Sequence, residues 1–236
     1  MKKAINDTIQ RVLMVPPTHF TYAINPWMNE KIKVDKQKAM EQWNLLKESI
    51  EKEGVKVLTL NQVEGQPDMV FACNSGLVHN NKIFLSKYRH KERTGEQKYF
   101  AAFYKQLGLQ LFGEDYPEFF EGGGDAVFSD KNTLWAGWGG PRTDKKAYEN
   151  IRLMGEMILK LFFIKTKLPK AITVSEEEAL NFVCNAINIR KKVISPKGVS
   201  KQTLEALTSL GYSLEEVEMS EFMKSGGACQ CLVMKL

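Results

Sequence analysis

An α/β fold is predicted by three features of the chain. Short apolar runs have the length of strands, amphipathic stretches with helical spacing lie between them, and a strand, strand, helix, strand rhythm recurs without obvious identity between its copies. Such a period fits either an ordinary α/β sandwich or a ring of supersecondary units stacked about an axis, and the pattern alone does not choose. With 236 residues, 43% of them apolar, the chain can bury a continuous core. No Pro/Ser-rich linker or low-complexity tract divides it, so residues 1–236 are read as a single domain.

The elements follow in order. Val12 to Val15 reads as a buried strand ended by Pro16-Pro17. Asp35 then caps a helix whose stripe is Ala39, Met40, Trp43, Leu46 and Ile50, and Gly54 stops it. Val55 to Leu60 is a strand. Two further β-like runs, Met69 to Cys73 and Lys82 to Leu85, are separated by a turn at Asn80-Asn81, and a helix from near Thr94 carries Phe100, Phe103, Tyr104 and Leu107 up to Gly108. Asp125 to Phe128 and Thr133 to Ala136 form a hairpin around Asp130 to Asn132, after which Asp144 caps a helix through Tyr148, Ile151 and Leu153. Ser175 and Glu178 make a capping box for a short helix. Lys192 to Ile194 is a strand, Ser200 caps a helix with Leu204 and Leu207 that ends at Gly211, and Tyr212 to Val217 and Cys231 to Met234 are the last strands.

Composition excludes several classes of function. Lys and Arg total 33 against 28 for Asp and Glu, and the resulting +5 is spread along the chain, which gives nucleic-acid binding little electrostatic support. No apolar run approaches the ~18 residues of a membrane span. The run Val12 to Pro17, after Lys2 and Lys3, is too short for a signal-peptide core, so the expected compartment is the cytoplasm. Of four cysteines only Cys229 and Cys231 lie close together, and His19, His79 and His90 show no ligand spacing; neither a disulfide framework nor a metal or other cofactor is expected.

Five segments carry residue types suited to chemistry. Glu121-Gly122-Gly123-Gly124-Asp125 places two carboxylates around glycines that let the backbone turn sharply before a strand; the plain alternative is a glycine-rich corner with solvated acids. Gly226-Gly227-Ala228-Cys229-Gln230-Cys231 leads into the terminal strand, where a thiolate can serve as nucleophile or a cysteine can simply be buried. Pro67-Asp68-Met69-Val70 puts an acid at a strand start, with Asn74 at its far end. Gly140-Pro141-Arg142-Thr143-Asp144 offers an arginine beside a helix start, suited to gripping a carboxylate, and Arg93 precedes Thr94-Gly95-Glu96; taken singly, the plain alternatives are a strand-edge acid, a surface arginine and exposed charge at a helix start.

Together these segments resemble the guanidine-modifying superfamily of dimethylargininases, arginine deiminases and amidinotransferases, with a dimethylargininase-like pattern. The features run in the family's order: Asn25-Pro26-Trp27-Met28, Pro67 to Gly76, Arg93 to Glu96, Glu121 to Asp125, Arg142-Thr143-Asp144, and the terminal Gly-Gly-x-x-x-Cys. The resemblance implies a five-bladed α/β propeller, or pentein, of strand-strand-helix-strand units around a polar channel. It implies that Cys231, in preference to Cys229, attacks a guanidinium carbon to form a covalent thiouronium, which water converts to a ureido product such as citrulline. By the same resemblance Asp68 binds the guanidinium with Asn74 at a neighbouring pocket position, and Arg93 and Arg142 grip the substrate carboxylate. Glu121 orients a catalytic histidine, and Asp125 supports that loop on the substrate side. The implied partner is a small guanidine substrate. Amidino transfer to an amine is the rival within the family, and a homodimer is left open.

The chain departs from this pattern in one place. The family's His-x-Asp segment, whose histidine serves as general acid and base, has no match, and no histidine occurs after His90. The run Leu161 to Leu168 passes directly to Pro169, so the fourth unit is incomplete in this sequence. His19, His79 and His90 match a proline-rich loop, a turn and a helix approach, and are not promoted to fill the role. Two explanations follow: a shortened chain with crippled catalysis, which makes a non-catalytic arginine-binding protein, or a sequence from which a mobile stretch near Leu168-Pro169 is omitted, the explanation preferred on these grounds.

Overall fold

The computed structural model describes residues 9–21, 32–138, 142–163 and 171–236. Asn25 to Met28, Gly140-Pro141 and the Leu168-Pro169 junction lie outside the described residues. The strands are β1 (Arg11–Met14), β2 (Lys56–Thr59), β3 (Gly76–His79), β4 (Lys82–Leu85), β5 (Gln110–Phe112), β6 (Ala126–Phe128), β7 (Thr133–Trp138), β8 (Ile158–Phe163), β9 (Ile187–Ile189), β10 (Lys192–Pro196), β11 (Ser213–Val217) and β12 (Met234–Lys235). The helices are α1 (Lys36–Lys52), α2 (Gln97–Gln106), α3 (Ala147–Ile151), α4 (Glu176–Leu180), α5 (Lys201–Ser209) and α6 (Ser220–Met223).

The predicted rhythm is present as a repeated small mixed sheet. In β3-β4-β5 the first strand is antiparallel to the second, which pairs in parallel with the third after α2. The same order holds for β6-β7-β8 around α3 and for β9-β10-β11 around α5. β1 and β2 form the parallel pair that α1 connects. A parallel pair needs a long crossover, so the helix between the second and third strands is a geometric requirement of each unit. Between β8 and β9 the described residues hold α4 and no strand.

Two compact units emerge. A mid-chain unit contains residues 73–138, 142–163 and 234–236, and a flanking unit contains residues 9–21, 32–72 and 171–233. The flanking core is built on the α1 stripe of Ala39, Trp43, Leu46 and Ile50 with Val12, Met14, Ile187, Ile194, Phe222 and Leu232. Asp35 caps α1 by accepting from the Lys38 N–H at 3.0 Å. The mid-chain core gathers Phe84, Phe120, Phe128, Leu134 and Tyr148, with Phe120 edge-on to both Phe84 and Tyr148.

Four readings of the sequence are corrected. Met69 to Cys73 is not a strand but part of two successive 3-10 turns, Pro67–Val70 and Ala72–Ser75. Residues 67–77 are buried throughout, and a continuous apolar run cannot be told from a strand by periodicity. Thr94 sits in a 3-10 turn, Lys91–Glu96, that precedes α2. Asp144 does not cap α3; its carboxylate accepts from the Phe119 N–H at 2.9 Å and from Arg89 at 2.6 Å. Cys231 lies in a turn, and of the expected strand Cys231 to Met234 only Met234 is extended, in β12. Strands β3, β5 and β9 were not expected because each is short, and the longer β8 was not expected because its apolar residues show little alternation.

Candidate active site

The terminal glycine-rich segment folds as a string of turns after α6. Ser225 and Gly226 donate to the carbonyls of Phe222 and Met223, and the Leu232 N–H donates to the Ala228 carbonyl. Gly226 adopts φ 81°, and a Cβ on Gly227 would strike the Phe71 ring, so the tight packing here requires the small residues the sequence supplies. These turns separate the two cysteines. Cys229 is fully buried, and burial pushes its thiol well above the ordinary range, which keeps it protonated. Cys231 is half-buried at the turn.

Asn185 holds this turn. Its backbone carbonyl accepts from the Gln230 N–H at 3.0 Å, its Oδ1 accepts from the Cys231 N–H at 3.1 Å, and its Nδ2 donates to Cys231 Sγ at 2.9 Å. Asn185 escapes a sequence reading because it lies 46 residues before Cys231 in a segment without motif character. Asp68 belongs to the same unit and is 5% exposed in the first 3-10 turn, whose preceding segment is tied down by Gln62 donating to the Pro67 carbonyl at 2.9 Å.

In the mid-chain unit the glycine-rich loop gathers four of the expected residues. Gly122 has φ 55°, and an added Cβ would sit 2.5 Å from the Gly76 carbonyl oxygen and 2.8 Å from that of Cys73. Only glycine fits that approach. The Asn74 amide donates to the Glu121 carbonyl at 3.1 Å, and the Tyr88 hydroxyl donates to the Asn74 carbonyl at 3.2 Å. Arg142 pairs with Asp125 and donates to the Gly124 carbonyl at 3.3 Å, while its Nη1 lies 3.7 Å from Glu121 Oε2. Thr143 Oγ1 donates to the other oxygen of Asp125 at 2.6 Å and accepts from the Glu121 N–H at 3.2 Å. Burial raises the Glu121 carboxyl above its usual range, against the opposing pull of Arg93 and Arg142. A buried acid with cations beside it is a group poised to hold or yield a proton.

Arg93 is also buried, and it forms a two-point pair with Glu96: Nε to Oε1 and Nη2 to Oε2, each 2.8 Å. Its guanidinium carbon lies 4.4 Å from the centre of the Tyr88 ring. One edge of the Arg93 fork is therefore committed to an internal carboxylate, and Arg142 likewise answers Asp125.

His79 is buried against Phe128 with ring centres 4.8 Å apart, and burial with Lys82 and Lys131 lowers its pKa. The His19 N–H donates to Gln62 at 2.6 Å. His90 precedes the Lys91–Glu96 turn. Among the described residues no group of three or more His, Cys, Asp and Glu side chains is placed to hold a metal ion. No helix among them is long and apolar enough to cross a membrane.

The family model described as "N,N dimethylarginine dimethylhydrolase, eukaryotic" matches residues 16–159, more than half of the chain. The uncharacterized protein ZK1307.1 of Caenorhabditis elegans is 50% identical, with 99% of this chain and 96% of that protein covered. That alignment extends over 271 positions, 35 more than the chain has residues. The bifunctional arginine dihydrolase/ornithine cyclodeaminase ArgZ of Synechocystis sp. is 35% identical over 96% of this chain, which spans 37% of that longer protein. The crystal structure of the N-terminal domain of an ArgZ variant, covalently bound to a reaction intermediate, superposes with a TM-score of 0.86 at 32% identity, covering 95% of this chain and 97% of that one. The chain belongs to the dimethylarginine dimethylhydrolase family, as a dimethylargininase-like hydrolase of guanidino groups within the pentein, or amidinotransferase, superfamily.

Proposed function

We propose that the chain is a cysteine-dependent hydrolase of the guanidinium C–N bond of arginine or a methylated arginine, built as one five-bladed α/β-propeller domain. The single observation that carries this reading is the contrast within the terminal pair: Cys229 is sealed in the core with its thiol held protonated, whereas Cys231 is half-exposed on a turn with an amide donor at its sulfur. The recurring mixed sheets and the covalent intermediate reported for the ArgZ domain support it further.

In this mechanism the Cys231 thiolate attacks the guanidinium carbon and a C–S bond forms. The C–N bond then breaks and the amine departs with a proton, leaving a thiouronium on Cys231. Water adds to that carbon, the C–S bond breaks, and a ureido product leaves as the thiolate is restored. Asp68 clamps the planar cation, Asn74 takes a pocket position, Arg93 and Arg142 receive the substrate carboxylate, and Glu121 handles protons in the loop that Asp125 supports. No cofactor is needed for these steps.

A second reading is favoured by the absence of any histidine after His90 and by aligned positions that have no counterpart in the chain. On that reading the chain binds arginine without turning it over. Incubation with arginine and with methylated arginine, followed by assay of ureido product and intact-protein mass, separates the two. The hydrolase reading expects citrulline from the wild type, none from Cys231→Ser, and undiminished product from Cys229→Ser. Unchanged activity in Cys231→Ser retires the nucleophile. Calorimetric binding with neither product nor adduct establishes the second reading, and product that appears only with an acceptor amine marks an amidinotransferase. The same mass, set against 26.9 kDa, reports whether the natural protein carries residues that this sequence omits.

A further inference from the structure

We infer that Asn185 is a positioning residue for the nucleophile, aiming Cys231 and holding its sulfur in the thiolate form through the Nδ2–Sγ hydrogen bond. The inference rests on the reading of Cys231 as nucleophile and adds a group from a distant part of the chain to its machinery.

The chemistry of the contact fixes its polarity. A backbone N–H only donates, so the group of Asn185 that meets the Cys231 N–H at 3.1 Å has to be the carbonyl oxygen. The amide then has one orientation, with its NH2 facing the sulfur at 2.9 Å. A thiolate accepts strongly, whereas a thiol accepts weakly, so an N–H aimed at the sulfur favours the ionised form. The Gln230 N–H bond to the Asn185 carbonyl fixes the asparagine backbone against the same turn, which makes three contacts between one residue and the loop. Position and ionisation are thus coupled. At Cys229 burial outweighs a backbone hydrogen bond to the sulfur and keeps the thiol protonated.

The test reads Cys231 alone and needs no turnover. Iodoacetamide forms a C–S bond with a thiolate and expels iodide, so the rate of Cys231 alkylation, followed by peptide mass across pH, reports the thiolate population. Asn185→Ala removes both side-chain bonds, while Asn185→Leu removes them at nearly constant volume and without adding charge. Both variants are expected to move the midpoint up by about one pH unit, which slows alkylation about tenfold below the midpoint. Exposed Cys184 serves as the internal reference and should be unaffected, and continued protection of Cys229 shows that the fold is intact. A wild-type midpoint in Asn185→Ala overturns the inference. Should Asn185→Ala expose Cys229, Asn185→Leu decides: a raised midpoint upholds the inference, and an unchanged one overturns it. Hydrolysis by Cys231→Ser would instead remove the nucleophile reading while leaving any alkylation shift intact, so the two ideas fail separately.

Discussion

Gly122→Ala adds one methyl group to the loop that joins Glu121 to Asp125. The residue has φ 55°, a conformation that costs an L-residue about 1–2 kcal/mol. Its new Cβ would also lie 2.5 Å from the Gly76 carbonyl oxygen and 2.8 Å from both the Cys73 oxygen and the Gly76 nitrogen. All three are backbone atoms and cannot turn aside as a side chain can, so displacement of the loop or its neighbours adds about 1–3 kcal/mol, the usual cost of overpacking. Gly108→Ala is the matched control. It lies in the same unit at φ 75° and an added Cβ would meet nothing within 4 Å, so it carries the backbone cost alone. At about 2–4 °C per kcal/mol for a chain of this size, Gly108→Ala should melt about 2–8 °C below the wild type and Gly122→Ala about 4–20 °C below it. Calorimetry at one scan rate measures the difference. Melting temperatures for the two variants within a degree of each other would refute the claim that backbone proximity dictates glycine at position 122.

Two other outcomes follow from buried charge. Glu96→Ala leaves the Arg93 guanidinium buried without its two-point partner and should cost about 3–5 kcal/mol in a thermal or urea melt; a change below 1 kcal/mol would show that the pair is held together only by its surroundings. Glu178 accepts from the backbone N–H groups of Ser175 and Ser200, which hold its carboxyl down to about 2 in the folded chain. A carboxyl depressed on folding stabilises above its unfolded value of about 4.3 and loses that contribution as pH falls toward 2. The wild type should therefore lose melting temperature between about pH 4.5 and 2 more steeply than Glu178→Gln, and parallel profiles would remove Glu178 as a source of acid sensitivity.

How far the chain could be read without its structure depended on whether each signal was local. The Asp35 and Ser200 caps and the Ser175–Glu178 box act over three residues, and their hydrogen bonds form as the spacing predicts. The α1 stripe and the alternation of sheets and helices were legible for the same reason, since periods of 2 and 3.6 are written along the chain. Residues 67–75 were misread because a segment buried on all sides has no polar face to reveal its period. Asp144 was misread because a cap is only one use for a carboxylate near a helix start, and Phe119 and Arg89 reach it through tertiary folding.

The sequence by itself determined the α/β class, most helix caps, the glycine-bound acids of the 121–125 loop and, through resemblance, the family. Tertiary structure decided which partners those side chains meet: Arg142 with Asp125, Arg93 with Glu96, and Asn185 with Cys231 across 46 residues. It also separated Cys229 from Cys231, one sealed and one half-exposed although only a single residue lies between them. The physical reason is that burial and long-range hydrogen bonding depend on what the rest of the chain brings alongside, and no local period encodes that.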